Sequence, residues 1–585
     1  MKLVATRFLK YFQPSETQLL IILSVIVGLA TGLGAIGFIV MVEYFNGLFF
    51  GLTDQILTAA VGSAQAWGYK IWLPIIPLIG GILVGPIVYN FAKEARGHGV
   101  PEVMNSVARL GGIIRPRVAA AKAVASAICI GSGGSAGREG PIVQIGSAFG
   151  STVGQIFHMS GERVKILVGC GAAAGISAVF NAPIAGVIFS LEIILGDFAI
   201  RTFSPVILSS VVASVVSRSF LGNHPAFEVP SYSLVSAWEI PFYIVMGVMI
   251  GALAVLFTRV LELFEDGFDA LKVPGWTKPA IGGLFLGIIA IFYPQTLADG
   301  YETIKLTLFG DMAIGLMLVL IFMKLLATSL TLGSGNSGGI FAPSLFMGAA
   351  AGGGFGYLVN LIFPNVSATH GAYALVGMAA MVAGATHAPI TAMLIIFEMT
   401  SDYRIILPLM ITVVFSALVA RKIFPYSIYT VKLARRGIDL RGGKDINVLR
   451  SHTVSEVMDT SYETIFASMN LAQIFHKIEQ SKETYFIVTD NGGNLKGVIS
   501  FQDIRNMLSQ HELDYLVIAQ DLVGPETFTI DISDDLTKAQ QIFGHRDFSL
   551  IPVVSKAQPS KVIGVLRKDD LTDYYNKQLI DRLRG

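Results

Sequence analysis

The residues in this chain best suited to chemistry are Gly137-Arg138-Glu139-Gly140-Pro141. The glycines let the backbone approach a ligand closely, and the proline fits the first turn of a helix. A helix starting there exposes unpaired N–H groups and about half a positive charge, which together hold an anion without a formal cation. Gly339-Ile340-Phe341-Ala342-Pro343 repeats the arrangement. Two such N-termini aimed at one point replace an anion's hydration, yet bind weakly enough to allow release, as conduction requires. A carboxylate at Glu139 competes with that anion. It therefore reads as a group that fills the site when charged and leaves it when protonated, a gate or a proton carrier. The plainer alternative is a structural glutamate paired with Arg138.

These breaks belong to a duplicated segment. Lys122–Gly150 aligns without a gap to Lys324–Gly352, with 11 of 29 positions identical, too many for unrelated apolar sequence to share by composition alone. A second pair follows each copy, Phe180–Glu192 and Thr386–Glu398. A glycine-rich break between apolar helices, once in each half, marks an ion site at a repeat interface. The halves run roughly 1–220 and 240–425, and the repeat alone leaves a parallel or an inverted relation open. Lys122 and Lys324 each lie nine residues before their break. Lysine inside a membrane is costly, so the two are expected either to lend positive potential to the vestibules or to snorkel to the interface.

The elements that position these residues must be membrane helices. The chain is 53% hydrophobic and only 14% charged, against about 25% charged in soluble domains. No ionisable residue occurs from Thr17 to Val42, and further apolar runs lie near 72–91, 165–195, 203–221, 241–262, 279–294, 312–330, 340–363, 372–397 and 404–420. The first run lacks a small-residue cleavage site and is too long for a signal-peptide core, so it reads as a retained helix. Lys2, Arg7 and Lys10 before it place the N-terminus in the cytoplasm of a multi-pass protein of the plasma (inner) membrane. The net charge of +1 gives no reason to expect a nucleic-acid partner. Cys129 and Cys170 read as small buried core residues, and no metal site is assigned.

After Pro425 the character changes. Residues 1–425 form the membrane domain, and 426–446 form a linker that contains the basic stretch Tyr429–Arg436. Beyond it, short apolar runs alternate with charged helical stretches in a soluble α/β pattern. Phe486–Thr489 followed by Gly497–Ile504 is echoed by Leu550–Val554 followed by Gly564–Leu571. This pattern resembles a tandem pair of CBS domains, 447–512 and 513–585, each with a strand–turn–strand leading into a helix. The resemblance implies an adenine-nucleotide site, with Asp503 and Asp570 at the ribose position and Ser500 supplying a hydroxyl; Arg567 replaces that hydroxyl in the second copy. A purely structural dimerisation role is the alternative.

Gly131–Pro141, Gly339–Pro343 and Gly97-His98-Gly99-Val100-Pro101-Glu102 together resemble the three signature motifs of the CLC family of chloride channels and proton-coupled chloride exchangers. The resemblance implies an all-α polytopic membrane protein of two inverted-topology repeats, carrying the α/β CBS pair on its cytoplasmic side. It implies a homodimer with one pore per subunit and Glu139 as the gating glutamate. Anions would be held by backbone amides near Arg138, Gly140, Ile340, Phe341 and Ala342, with the Tyr429 hydroxyl lining the inner gate. Two departures stand out. His98 takes the place of a serine that faces the central anion, and its imidazole either replaces that hydroxyl or turns aside against the backbone. Ile193 stands where exchangers of the well-described type carry a proton-entry glutamate, which tilts the reading towards a channel. Glu192 beside it has a counterpart in Glu398, which favours a structural helix-end role for both.

The expected function is thus chloride or similar anion transport, channel-like, with a proton-coupled antiporter as the alternative and no cofactor required. The protein is not expected to be an enzyme. Gly133-Gly134-Ser135-Ala136-Gly137 matches a Gly-x-Ser-x-Gly nucleophile pattern, but an apolar helical run precedes it and Gly335–Gly339 matches too. His511-Glu512 lacks the second histidine of a zinc protease. A CBS-regulated cation channel would need acidic residues or helix C-termini at the midplane, where this chain offers N-termini.

Overall fold

The computed structural model describes residues 16–51, 72–438 and 449–584, apart from 224–226, 228, 231, 233, 401, 450–451, 482, 502–503, 505–515, 525–526 and 546–548. The chain forms two compact units, Met1–Gly437 and Ile438–Gly585. Asp503, one of the expected nucleotide contacts, lies outside the described residues.

The first unit is helical throughout. Its first half holds α1 (Glu16–Asn46), α2 (Ile75–Pro86), α3 (Val100–Arg109), α4 (Arg117–Gly131), α5 (Glu139–Ile156), α6 (Gly161–Phe180), α7 (Pro183–Phe189) and α8 (Ile200–Leu221). The second half holds α9 (Ile240–Ala270), α10 (Lys278–Phe292), α11 (Tyr301–Phe309), α12 (Ile314–Gly333), α13 (Phe341–Ile362), α14 (His370–Thr386), α15 (Pro389–Thr400), α16 (Ile406–Ile423) and the short α17 (Thr430–Arg435). Among the described residues, 8 helices are long and apolar enough to cross a membrane. The outer surface carries exposed Leu29, Leu33, Val40, Phe285, Phe322 and Leu418, side chains suited to being covered by lipid or by a second subunit rather than by water. This is a multi-span membrane protein. At 1.5 Å per residue α1 and α9 reach about 46 Å, longer than the ~30 Å hydrocarbon layer, which tilt accommodates.

Equivalent parts of the two halves meet each other. Gly137 and Gly339, the same position in each repeat, pair antiparallel, with Gly137 N–H donating to the Gly339 carbonyl at 2.8 Å and Gly339 N–H donating to the Gly137 carbonyl at 2.7 Å. A residue that exchanges bonds with its own repeat mate sits on a two-fold axis. The inverted repeat is visible there. The same axis relates the two carboxylates that the sequence suggests as helix-end groups. Glu192 accepts from Thr391 N–H at 2.7 Å and Ile390 N–H at 3.3 Å, capping α15, while Glu398 accepts from Ala185 N–H at 2.7 Å and Ile184 N–H at 3.0 Å, capping α7. Prolines at the first position of both helices remove one orphan donor, and the opposite repeat's glutamate satisfies the next two. Glu192→Ala and Glu398→Ala are each expected to lower the stability of the detergent-solubilised protein by about 1–2 kcal/mol, the cost of a lost N-terminal cap. Thermal denaturation of the two variants checks this, and the larger loss is expected for Glu192→Ala, because Glu192 also accepts from the Thr391 hydroxyl at 2.6 Å where the repeat mate is Ala185.

The second unit is duplicated as well. Strands β1 (Thr464–Phe466), β2 (Tyr485–Thr489) and β3 (Leu495–Ser500) form one sheet, and β4 (Ile530–Asp531), β5 (Leu550–Ser555) and β6 (Gln558–Arg567) form the other. Each sheet has a parallel first pair and an antiparallel second pair. Helices α18 (Leu471–Glu479), α19 (Ala519–Leu522), α20 (Leu536–His545) and α21 (Lys568–Arg584) accompany them. Alternation along the strands buries Ile465, Phe486, Val488 and Ile499 in one core and Ile551, Val553 and Leu566 in the other. The strand–turn–strand units are those expected from sequence; the short parallel strands β1 and β4 carry too few residues to show a pattern of their own. Arg567 ties the copies together, donating to Asp459 at 2.6 Å and to Glu483 at 3.0 Å. Ser461 and Arg567 between them hold the Asp459 carboxyl down at about 2.

Candidate functional site

Three loops are laced together at the centre of the membrane unit. Gly97 N–H donates to the Asn336 carbonyl at 2.9 Å, and Gly338 N–H returns a bond to the Gly97 carbonyl at 3.3 Å. The Gly137–Gly339 pair then joins the second break to the first. Around this crossing α5 begins at Glu139 and α13 at Phe341. The first bonds within each helix are Ile142 N–H to the Arg138 carbonyl and Ser344 N–H to the Ile340 carbonyl. The N–H groups of Glu139 and Gly140, and of Phe341 and Ala342, precede those bonds and have no partner inside their helices, while Pro141 and Pro343 offer none. Repeat-equivalent pairs of amides thus converge, backed by two helix dipoles. Ile340, Phe341 and Ala342 are all at most 2% exposed, so this anion-attracting end is shielded from bulk water.

The Glu139 carboxylate is 2% exposed and lies within this ring. Its Oε1 accepts from the Tyr301 hydroxyl at 2.8 Å, and its Oε2, buried, has no hydrogen-bond partner. A side chain on Gly137 would overlap Oε2, and one on Gly339 would start 3.2 Å from it. The carboxylate therefore stands between the two breaks, held at one oxygen only. Arg138 is not its partner. The guanidinium turns away to Asp299, donating from Nε at 3.0 Å and from Nη2 at 2.9 Å, and its carbon sits 5.7 Å from the Tyr301 ring centre. Any anion contact of Arg138 is left to its backbone. Tyr301 and Asp299 are not singled out from sequence because they sit at the start of α11 and in the turn just before it, outside both repeat motifs; the only signal is the polar cluster Asp299-Gly300-Tyr301-Glu302 in an apolar neighbourhood.

His98 is 3% exposed, its Nδ1 is buried without a partner, and its ring centre is 5.6 Å from that of Tyr429. Tyr429, itself 3% exposed, occupies the N-cap of α17. The His98 carbonyl packs on Gly140, so the loop that carries the imidazole lies against the helix start that carries Glu139.

Lys122 and Lys324 are both fully buried, and neither reaches the interface. Lys122 Nζ donates to the carbonyls of Gly97 at 2.6 Å and Ala95 at 3.0 Å, and Lys324 Nζ donates to those of Ala298 at 2.8 Å and Thr296 at 3.0 Å. Each lysine pins the loop that carries a site residue, His98 in one case and Tyr301 in the other. Lys122→Met and Lys324→Met are expected to destabilise by about 1–3 kcal/mol each, the penalty for leaving buried carbonyls unpaired. Melting temperatures in detergent read that loss; unchanged melting would mean that the loops hold themselves. Glu192 and Glu398 are committed to their caps, and Ile193 is buried at 8% exposure. In the soluble unit Asp570 opens α21, with one buried carboxylate oxygen free of hydrogen bonds and 3.7 Å from Arg567 Nη1; Ser500 ends β3.

Comparison with known proteins agrees with this geometry. Residues 80–421 match the family described as voltage gated chloride channel, and 454–510 and 519–577 each match the CBS domain. The chain is 30% identical over 638 residues to the chloride channel protein CLC-e of Arabidopsis thaliana, covering 96% of this chain and 88% of the relative. It is 32% identical over 435 residues to the H(+)/Cl(-) exchange transporter ClcA of Salmonella arizonae, covering 72% and 90%. The crystal structure of a slow cyanobacterial Cl-/H+ antiporter superposes with a TM-score of 0.66 at 27% identity, over 71% of this chain and 97% of that one.

Proposed function

This chain belongs to the CLC family of chloride channels and transporters, and we propose that within it the protein exchanges small anions for protons. The transport of chloride or a similar anion is the family's activity. The finer reading rests on one observation, the closed position of the Glu139 carboxylate between the two breaks. An anion that is to sit on the amides of α5 and α13 meets that carboxylate first. A buried carboxylate leaves such a ring most cheaply as the neutral acid, so anion entry and proton uptake at Glu139 alternate. Ile193 favours a second reading, a channel with Glu139 as gate alone, and on sequence it tilts the balance that way. The closed carboxylate weighs more, because a conductive pore needs a path that this side chain blocks. The names of relatives divide between the two, a channel in Arabidopsis and an exchanger in Salmonella.

The same reading puts the N-terminus and the CBS pair in the cytoplasm of a plasma-membrane homodimer, on the strength of the basic residues flanking the spans. Lys122 and Lys324, besides bonding the loops, would add positive potential near the anion path. An adenine nucleotide at the CBS pair fits the Asp570 oxygen that makes no hydrogen bond, which would accept from a ribose hydroxyl, with Ser500 the hydroxyl of the other copy. The deciding experiment reconstitutes the full chain in liposomes, imposes a chloride gradient with voltage clamped to zero, and follows internal pH. Protons driven uphill by chloride support exchange; chloride flux with no proton movement would make the protein a channel.

A further inference from the structure

Exchange requires a proton to reach Glu139 from the far side of the site, and Ile193 cannot pass one on. A second titratable group is nevertheless built in. His98 closes the inner end of a recess whose walls include Thr258, Glu262 and Glu265 of α9 and Lys432 and Arg435 of α17. Glu262 pairs with Arg435 at 3.0 Å and Glu265 with Lys432 at 3.5 Å. The Arg435 side chain is 47% exposed, so the recess reaches water at that end. At the other end, the unpartnered, buried Nδ1 of His98 belongs to the loop that packs on Gly140, the residue after Glu139.

We propose that His98 carries the proton between this recess and Glu139, taking the part that position 193 leaves empty; the proposal rests on the exchange reading above. A hydronium ion arriving along the water of the recess gives a proton to the free Nδ1 of the neutral imidazole, leaving neutral water, and the imidazolium forms. When Glu139 leaves Tyr301 and turns inward, the imidazolium hands one proton to its carboxylate. The products are the neutral imidazole and the neutral acid, so one proton has moved and nothing else has changed. Carboxylates along the recess hold water by accepting hydrogen bonds, which an apolar wall would not. The titratable and charged groups around His98 are Lys122 on α4, with Glu102 of α3 facing that lysine, Glu139 on α5 next to the Gly140 that packs on the His98 carbonyl, Glu262 and Glu265 on α9, and Tyr429, Lys432 and Arg435 on α17. Two lysines stand among them. A buried imidazolium is costly unless negative charge stands near it, and an anion seated on the helix N-termini adds to that charge. Proton entry is thereby tied to anion occupancy, which is what coupling requires.

The test measures protons moved per chloride for the full chain in liposomes, for wild type, His98→Ser and the double variant Glu262→Gln/Glu265→Gln. The ratio is the readout because a structural defect slows both flows together. Loss of a positioned proton carrier is expected to lower it by about a hundredfold in His98→Ser, within the usual range for a general acid–base group. A smaller fall is expected in the double variant. An unchanged ratio in His98→Ser, with wild type still exchanging, overturns the relay and leaves the exchange reading intact. If wild type moves no protons, the exchange reading itself has failed and the relay with it. If His98→Ser transports nothing, the double variant decides: a normal ratio there overturns the proposal.

Discussion

Glu139→Gln in liposomes is expected to carry chloride while proton movement falls to the level of protein-free vesicles. Glutamine has the shape of the protonated glutamate and keeps a partner for the Tyr301 hydroxyl, so the fold around α5 survives. What it loses is the charge. A carboxylate near two helix N-termini gains about 1–2 kcal/mol from their dipoles, roughly a tenfold preference for holding its place. Without that preference an anion displaces the side chain at any pH, and no proton has to enter for it to do so. The pH response of anion flux should therefore flatten together with the loss of proton transport. Retention of either the coupling or the pH response would show that Glu139 is not the alternating group.

Gly140→Ala is expected to abolish transport altogether. A Cβ there would be driven into the His98 carbonyl oxygen and would stand 3.0 Å from Gly339 Cα. Both neighbours are backbone, and neither can rotate away. The His98 loop is fixed by Lys122 and by the backbone of Asn336 and Gly338, while Gly339 is fixed by its bonds to Gly137. One added methyl would therefore push apart all three loops at once, at about 1–3 kcal/mol of overpacking. Chloride efflux measures the functional loss and thermal denaturation the energetic one. Gly267→Ala is the internal control: nothing lies within 4 Å of the Cβ it would add inside α9. That change should be neutral or stabilising by about 0.5–1 kcal/mol through helix propensity alone. If Gly140→Ala transports like Gly267→Ala, the crossing is looser than its contacts indicate.

The relation between sequence and structure differs from residue to residue. Covalently local features were legible. The start of α5 at Glu139 and of α13 near Pro343, the apolar spans and the strand–turn–strand units follow from glycine, proline and hydrophobic period, all of which act within a few residues. Duplication made the two-fold partners identifiable, including Glu192 and Glu398, though not that each caps a helix of the other repeat. The lysines were singled out by the cost of burying charge, yet the carbonyls that meet that cost lie 25 to 28 residues away in the chain.

The sequence by itself determined that this is a polytopic membrane protein with paired helix N-termini, a carboxylate among them and a soluble tandem domain behind. Only the tertiary structure decided what that carboxylate touches. Tyr301 comes 162 positions after Glu139 and Asp299 comes 161 after Arg138, and no local propensity encodes such separations. The structure also paired Gly137 with Gly339 antiparallel and opened a recess of charged walls onto His98. The physical reason is range. Helix starts, caps and apolar faces are set by interactions along one segment, whereas a binding site is made where segments cross, and the crossing is fixed by packing over the whole membrane unit.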